Sequence, residues 1–344
     1  MAVIRLVSGR CIRERHAGAK CAACADACPA SALSFEGASL RVTAPACEGC
    51  GACAAACPAN AISLSEPGWR EAVAALMPSG TLECRCSRAK AGGGSPVPCF
   101  AALSRTERLE LLRAGVCSLR MATGACEGCP SAPRGGENAW REFAEDMQRT
   151  ASAFGRTIVV ERSTEPVPDI DGSRRHLLGI VVRKSAAPAA PERIEDPMPD
   201  RAAGRLLLSE ASKRRLLAVR ALAAAAPDSA SAKKAGLADL RVPVMSEEKC
   251  TACGLCAAAC PQHALMAKTE GDLFTISAVE AACTGCGLCA DICIPKAVAF
   301  EAPRDADAWL TGRPVAKLSV KGRRRRSAWD GIVGRSFSSG SFSS

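Results

Sequence analysis

Two stretches of the chain alternate apolar and polar residues around a glycine: ALSFEGASLRV at 32–42 and ALMAKTEGDLFTIS at 264–277. A period of two broken by a turn residue predicts a β-hairpin in each. Between them the pattern changes. WREAVAALM (69–77) predicts a short helix, and TLEC (81–84) a strand ending at a cysteine. SPVPC (95–99) is a second extended run that also ends at a cysteine. SRTERLELLRAG (104–115) predicts a helix opened by a Ser104–Glu107 capping box and stopped at Gly115. CSLRMAT (117–123) reads as a strand, residues 137–154 as an amphipathic helix with Ala139, Phe143 and Met147 on one stripe, and TIVVERS (157–163) as a closing strand. This alternation of helix and strand favours a parallel sheet.

Residues 164–204 are rich in proline, alanine and charge and read as a linker, with one docking segment, SRRHLLGIVVRK, embedded. LSEASKRRLLAVRALAAAAP (208–227) predicts a helix with Leu216, Leu217 and Val219 toward a core and Lys213, Arg214, Arg215 and Arg220 in solvent. The stretch 321–344 is basic, then Ser/Gly-rich, and is expected to be disordered alone; the other reading is docking to an acidic subunit or a membrane surface.

At 344 residues the chain predicts two or three domains. Aromatic residues are 3% and tyrosine is absent, so the cores rest on Ala, Val, Leu and Ile. Cysteine is the outlier, at 22 residues. The start, MAVIRLVSGR, has no apolar signal segment, and no stretch approaches 18 apolar residues. A cytoplasmic chain is expected, in which dense cysteine means metal rather than disulfides.

Fifteen of the cysteines fall into a repeated pattern. Residues 47–58 read CEGCGACAAACP, 250–261 CTACGLCAAACP and 283–293 CTGCGLCADIC, while 21–29, CAACADACP, is a shorter version. Three cysteines at two-residue intervals can wrap three irons of one cube, and the fourth opens a short helix toward a second cube, with proline starting it. This C-x₂-C-x₂-C-x₃-C-P run is the signature of bacterial two-cluster ferredoxins. Residues 1–66 and 241–302 therefore resemble two such domains, an internal duplication of a βαββαβ unit. The expected fold class is α+β, with these domains flanking a small central α/β domain (67–163), a linker with a basic helix (164–240) and a tail (303–344). Paired CxxC motifs also build zinc sites, the plainer alternative.

The resemblance implies the ligand sets. Cys250, Cys253, Cys256 and Cys293 would hold one [4Fe–4S] cluster; Cys283, Cys286, Cys289 and Cys260 a second; Cys47, Cys50, Cys53 and Cys28 a third. Ile294 displaces the proline after Cys293 and is expected to shift the helix start slightly. The fourth set has Cys21, Cys24 and Cys57, and Gly18 stands where its first cysteine belongs. Either Cys11 completes it across the polar loop RERHAGAK, or nothing does and the cluster is [3Fe–4S]. Lengthening such a loop costs little entropy, which favours Cys11.

Six cysteines remain: Cys84, Cys86, Cys99, Cys117, Cys126 and Cys129. On the predicted sheet Cys84, Cys99, Cys126 and Cys129 lie just past strand ends, where α/β sheets gather ligands. Cys117 begins its strand and is expected to be a plain buried thiol. Cys86 is an alternative to Cys84. The motifs CRC (84–86), VPC (97–99) and ACEGC (125–129) resemble the delta subunit of methyl-viologen-reducing hydrogenase, which implies a [2Fe–2S] cluster. The family's histidine near the last pair is absent, and a structural zinc or a redox dithiol is the alternative.

The formal charge of +10 counts every cysteine as neutral. A [4Fe–4S]²⁺ cube with four thiolates carries about −2, so four cubes leave the loaded protein close to neutral. That argues against a nucleic-acid partner and for oriented docking to redox proteins. No GxGxxG, phosphate loop or nucleophilic triad occurs. The expected function is an electron carrier or relay subunit of a hydrogenase, formate dehydrogenase or heterodisulfide-reductase type complex. The alternatives are a thiol–disulfide enzyme at the central cysteines and a nucleic-acid-associated iron–sulfur protein.

Overall fold

Strand β1 (Ile4–Val7) pairs antiparallel with β4 (Ile62–Leu64), closing the N-terminal unit on itself. The computed structural model describes residues 4–7, 9–64, 80–90, 92–164, 192–194 and 210–321. The expected helix at 69–77, the docking segment at 173–184 and the basic stretch from 322 on lie outside the described residues. Between β1 and β4 come helices α1 (Ile12–Arg15) and α2 (Ala23–Asp26), the hairpin β2 (Leu33–Glu36) and β3 (Ser39–Val42), and helix α3 (Ala52–Ala56). Ile4, Leu6, Ile12, Leu33, Leu40 and Ile62 form its core.

The central unit is a parallel sheet, as the alternation predicted. Strands β5 (Thr81–Cys86), β6 (Ser95–Val97), β7 (Ser118–Ala122) and β8 (Val159–Ser163) lie in the order β6-β5-β7-β8. Helices α4 (Arg105–Arg113) and α5 (Glu137–Ala153) make two of the crossovers. Leu109, Leu111, Leu112, Leu119, Met121 and Met147 are fully buried between sheet and helices. The capping box is partial: Ser104 is the N-cap of α4, but its hydroxyl bonds the Glu107 carboxylate instead of a backbone N–H.

A short strand, β9 (Glu192–Ile194), lies parallel to β1. Helix α6 (Glu210–Ala225) matches the expected basic helix, and Arg220 is exposed as expected, but Arg214 and Arg215 are not solvated. Arg214 Nε donates to Glu110 at 2.8 Å and its Nη2 to Glu107 at 3.1 Å; Arg215 pairs with Asp239 at 2.5 Å. The cause is docking of α6 on α4, which brings acidic side chains to that face. Leu216, Val219 and Leu222 share the buried stripe, while Leu217, a further 100° round, is 57% exposed. A second helix, α7 (Ser229–Leu237), is capped by Asp228, whose side chain accepts from the N–H groups of Ala230 and Ser231.

The C-terminal unit repeats the N-terminal order. β10 (Val242–Met245) pairs antiparallel with β13 (Val298–Glu301) around α8 (Leu255–Ala258), the hairpin β11 (Leu265–Glu270) and β12 (Leu273–Ala278), and α9 (Leu288–Asp291). The unit does not stop near residue 302. Helix α10 (Ala306–Thr311) follows, and β14 (Val315–Lys321) pairs with β12 and extends the hairpin to three strands. Alternation in VAKLSVK buries Leu318 and Val320 against Phe274 and Ile276.

Candidate metal centres

Each cysteine block ends in the same backbone turn. Three residues after the fourth cysteine stands a non-glycine residue with left-handed φ: Ser31 at 49°, Asn60 at 51°, His263 at 50° and Lys296 at 52°. The turn folds the next backbone N–H onto the sulfur. Ala32 N–H donates to Cys28 Sγ, Ala61 N–H to Cys57 Sγ and Ala297 N–H to Cys293 Sγ, each at 3.2 Å. Donors aimed at sulfur favour thiolate and tune the potential of a bound cluster. The proline after the fourth cysteine therefore sits in a turn and starts no helix. Ile294 replaces it without moving the turn, so the expected shift does not occur. Gly51, Gly254 and Gly287 precede α3, α8 and α9 with φ of 83°, 73° and 82°. In the shortened first block Ala22 holds that place with φ −129°.

Two of the four expected sets each line one cavity. Cys11, Cys21, Cys24 and Cys57 line one apolar cavity with Leu6, Phe35 and Leu40. Cys11 reaches it as the N-cap of α1, after which His16 Nδ1 accepts the Gly18 N–H at 3.0 Å and turns the chain back. Cys250, Cys253, Cys256 and Cys293 line a second cavity, of about 180 Å³. Burial, then the like charge of Cys50, Cys47, Cys24 and Cys28, pushes the Cys53 thiol up to about 12. Burial, then Cys283, Cys286, Cys260 and Cys256, pushes up Cys289. Cys53 thus neighbours Cys50, Cys47 and Cys28 and also Cys24, and Cys289 neighbours Cys283, Cys286 and Cys260 and also Cys256.

The donor sets are sulfur alone, half-buried or buried, and partly supplied with N–H donors, which fits iron–sulfur clusters. No three His, Cys, Asp or Glu side chains among the described residues converge on a single-ion position.

In the central unit the strand ends differ from the sequence reading. β5 runs through Cys84 to Cys86, because Cys86 is in register with Val97 of β6. Cys84 is mid-strand; burial alone pushes it up to about 12. Cys99 follows β6, and burial, then Cys50, Cys86 and Cys126, pushes it up to about 12. Burial also raises Cys126, opposed by a hydrogen bond from Arg162. Cys129, half-buried, packs against the same core. Cys117 lies at the far edge as expected, but it is exposed rather than buried, since β7 starts at the surface.

Two junctions had no signal in the sequence. The backbone N–H of Lys20 donates to Asp291 Oδ2 at 3.1 Å, and Leu288 and Ile292 of the C-terminal unit belong to the N-terminal core. Burial, then the like charge of Cys260 and Cys21, pushes Cys286 up to about 11. On the other side Gly51, beside Cys50, packs on Ala102 of the central unit so tightly that an added Cβ would lie 2.7 Å from the Ala102 Cβ.

No helix among the described residues is long and apolar enough to cross a membrane. No curated protein and no solved structure matches the chain. The central likeness to a hydrogenase delta subunit thus finds no counterpart. Residues 9–58 and residues 249–303 each match a family model described as a 4Fe-4S dicluster domain, so the chain carries two ferredoxin-type dicluster domains, one near each end.

Proposed function

We propose that this protein is an electron conduit holding four [4Fe–4S] clusters and a fifth centre in the central unit, working as a relay subunit between redox proteins. The observation that carries the reading is that two of the expected quartets each line one cavity, inside segments that match dicluster domains. Cys11 is the fourth ligand of the Cys21, Cys24 and Cys57 site, making it a four-iron site. The fifth centre takes Cys86, Cys99, Cys126 and Cys129, and the central resemblance suggests [2Fe–2S].

The neighbour relations support one path. Cys256 adjoins the Cys289 group, Cys286 adjoins Cys21, Cys24 adjoins Cys53, and Cys50 adjoins Cys99. An electron entering at the Cys250 group would thus reach the central cysteines through every other site. When bound, the clusters supply one-electron transfer; the chain supplies burial, N–H donors to sulfur and fixed spacing. Reduced thiols suit a cytoplasmic setting.

Iron and acid-labile sulfide counts on anaerobically purified protein test the reading. About sixteen to eighteen irons per chain are expected; two or three would overturn it.

A further inference from the structure

A cavity of about 360 Å³ opens where the end of α3, the start of α4, helix α6 and the loop before α9 meet. It belongs to none of the cysteine quartets, although Cys57 and Cys283, from two different ones, each touch its wall. Three buried wall atoms have no hydrogen-bond partner, Arg105 Nε, Arg215 Nε and Trp309 Nε1, whereas the Thr284 hydroxyl bonds the Cys286 thiol. Each of the three can donate a hydrogen. A buried donor left unsatisfied is expensive, so such atoms ask for an acceptor.

The charge on the wall has the same sense. Three arginines, Arg105, Arg215 and Arg241, line the cavity with a single carboxylate, Asp239. Asp239 lies 2.5 Å from Arg215 and 3.7 Å from Arg105 Nε, the latter too far for a hydrogen bond; Arg105 also meets Asp146 at 3.1 Å from outside the wall. Arg241 and Asp239 are exposed, so the cavity reaches the surface beside them. The space exceeds the roughly 30 Å³ share of one water about tenfold.

We propose that this cavity binds a small oxyanion, of carboxylate or phosphate type, held by the arginine guanidinium groups and the Trp309 indole N–H. The assignment goes beyond electron transfer and does not depend on which metal the quartets hold.

The test is calorimetric titration of the anaerobically purified, iron-loaded full chain with inorganic phosphate and, separately, with acetate, at constant ionic strength. Saturable one-site binding of at least one is expected. It should weaken at least tenfold in Trp309→Phe, which removes the indole N–H, and in Arg241→Gln, at an exposed position. Arg113→Gln, exposed and away from the wall, should leave it unchanged. The variants' visible spectra check that they fold. Binding of phosphate alone or of acetate alone supports the site and identifies the source. Absence of saturable heat with both anions, or unaltered binding in both wall variants, overturns the proposal and leaves a cavity that holds only water.

Discussion

The Lys317 ammonium lies against the Glu280 carboxylate, with the side chains 9% and 2% exposed, and so ties β14 to the turn that leads into Cys283. Removing one partner strands a buried charge. Lys317→Met should destabilise the loaded protein by about 3–5 kcal/mol, and adding Glu280→Gln should restore most of it. The guanidinium midpoint of the far-ultraviolet signal is the measurement. Equal midpoints for wild type and Lys317→Met would show that the pair contributes nothing.

Cys11 shares its cavity with three cysteines that already form a ferredoxin-like set. Cys11→Ser should therefore convert that site from four irons to three, lowering the iron count by about one per chain. The oxidised variant should gain a three-iron EPR signal that anaerobic wild type lacks. A three-iron signal of equal size in both proteins would sink the assignment.

Gly51 and Gly287 occupy equivalent places before α3 and α9 with φ of 83° and 82°. Alanine costs about 1–2 kcal/mol in left-handed backbone at either. Only at Gly51 would the new methyl also meet Ala102 Cβ at 2.7 Å and Leu64 Cδ1 at 2.9 Å; at Gly287 it meets nothing within 4 Å. Gly51→Ala should thus lose cluster absorbance on warming at a clearly lower temperature than Gly287→Ala. Matching melting temperatures would mean that the contact with the central unit is loose.

The central cysteines separate Cys84 from Cys86. Cys86→Ala should lose the fifth centre, seen as a drop of about two irons and in the visible difference spectrum, if the centre is [2Fe–2S]. Cys84→Ala should keep it. The reverse pattern would return the ligand role to Cys84.

Much of this was readable along the chain, for local reasons. The cysteine spacing and the hairpins involve neighbours in sequence, and the parallel sheet follows from alternation alone. What failed depended on distant partners. Arg214 reads as solvated until α4 supplies Glu107 and Glu110. The end of β5 is set by pairing with β6 rather than by its own residues. The left-handed turn after each fourth cysteine is held by Ser31, Asn60, His263 and Lys296, which share no side-chain chemistry, so no motif announces it. β14 reads as part of the segment beyond the C-terminal unit because its partner, β12, lies some forty residues earlier.

The packing of Leu288 and Ile292 into the core that Leu6 and Ile12 begin has a bearing on biosynthesis. A ribosome exposes the first of these partners almost three hundred residues before the last. Until then the amino-terminal half has an uncovered greasy flank, the kind of surface that chaperones hold. Maturation of the centre nearest that flank is thus tied to completion of synthesis, and a prematurely terminated product would emerge as a client for degradation rather than as a shortened carrier.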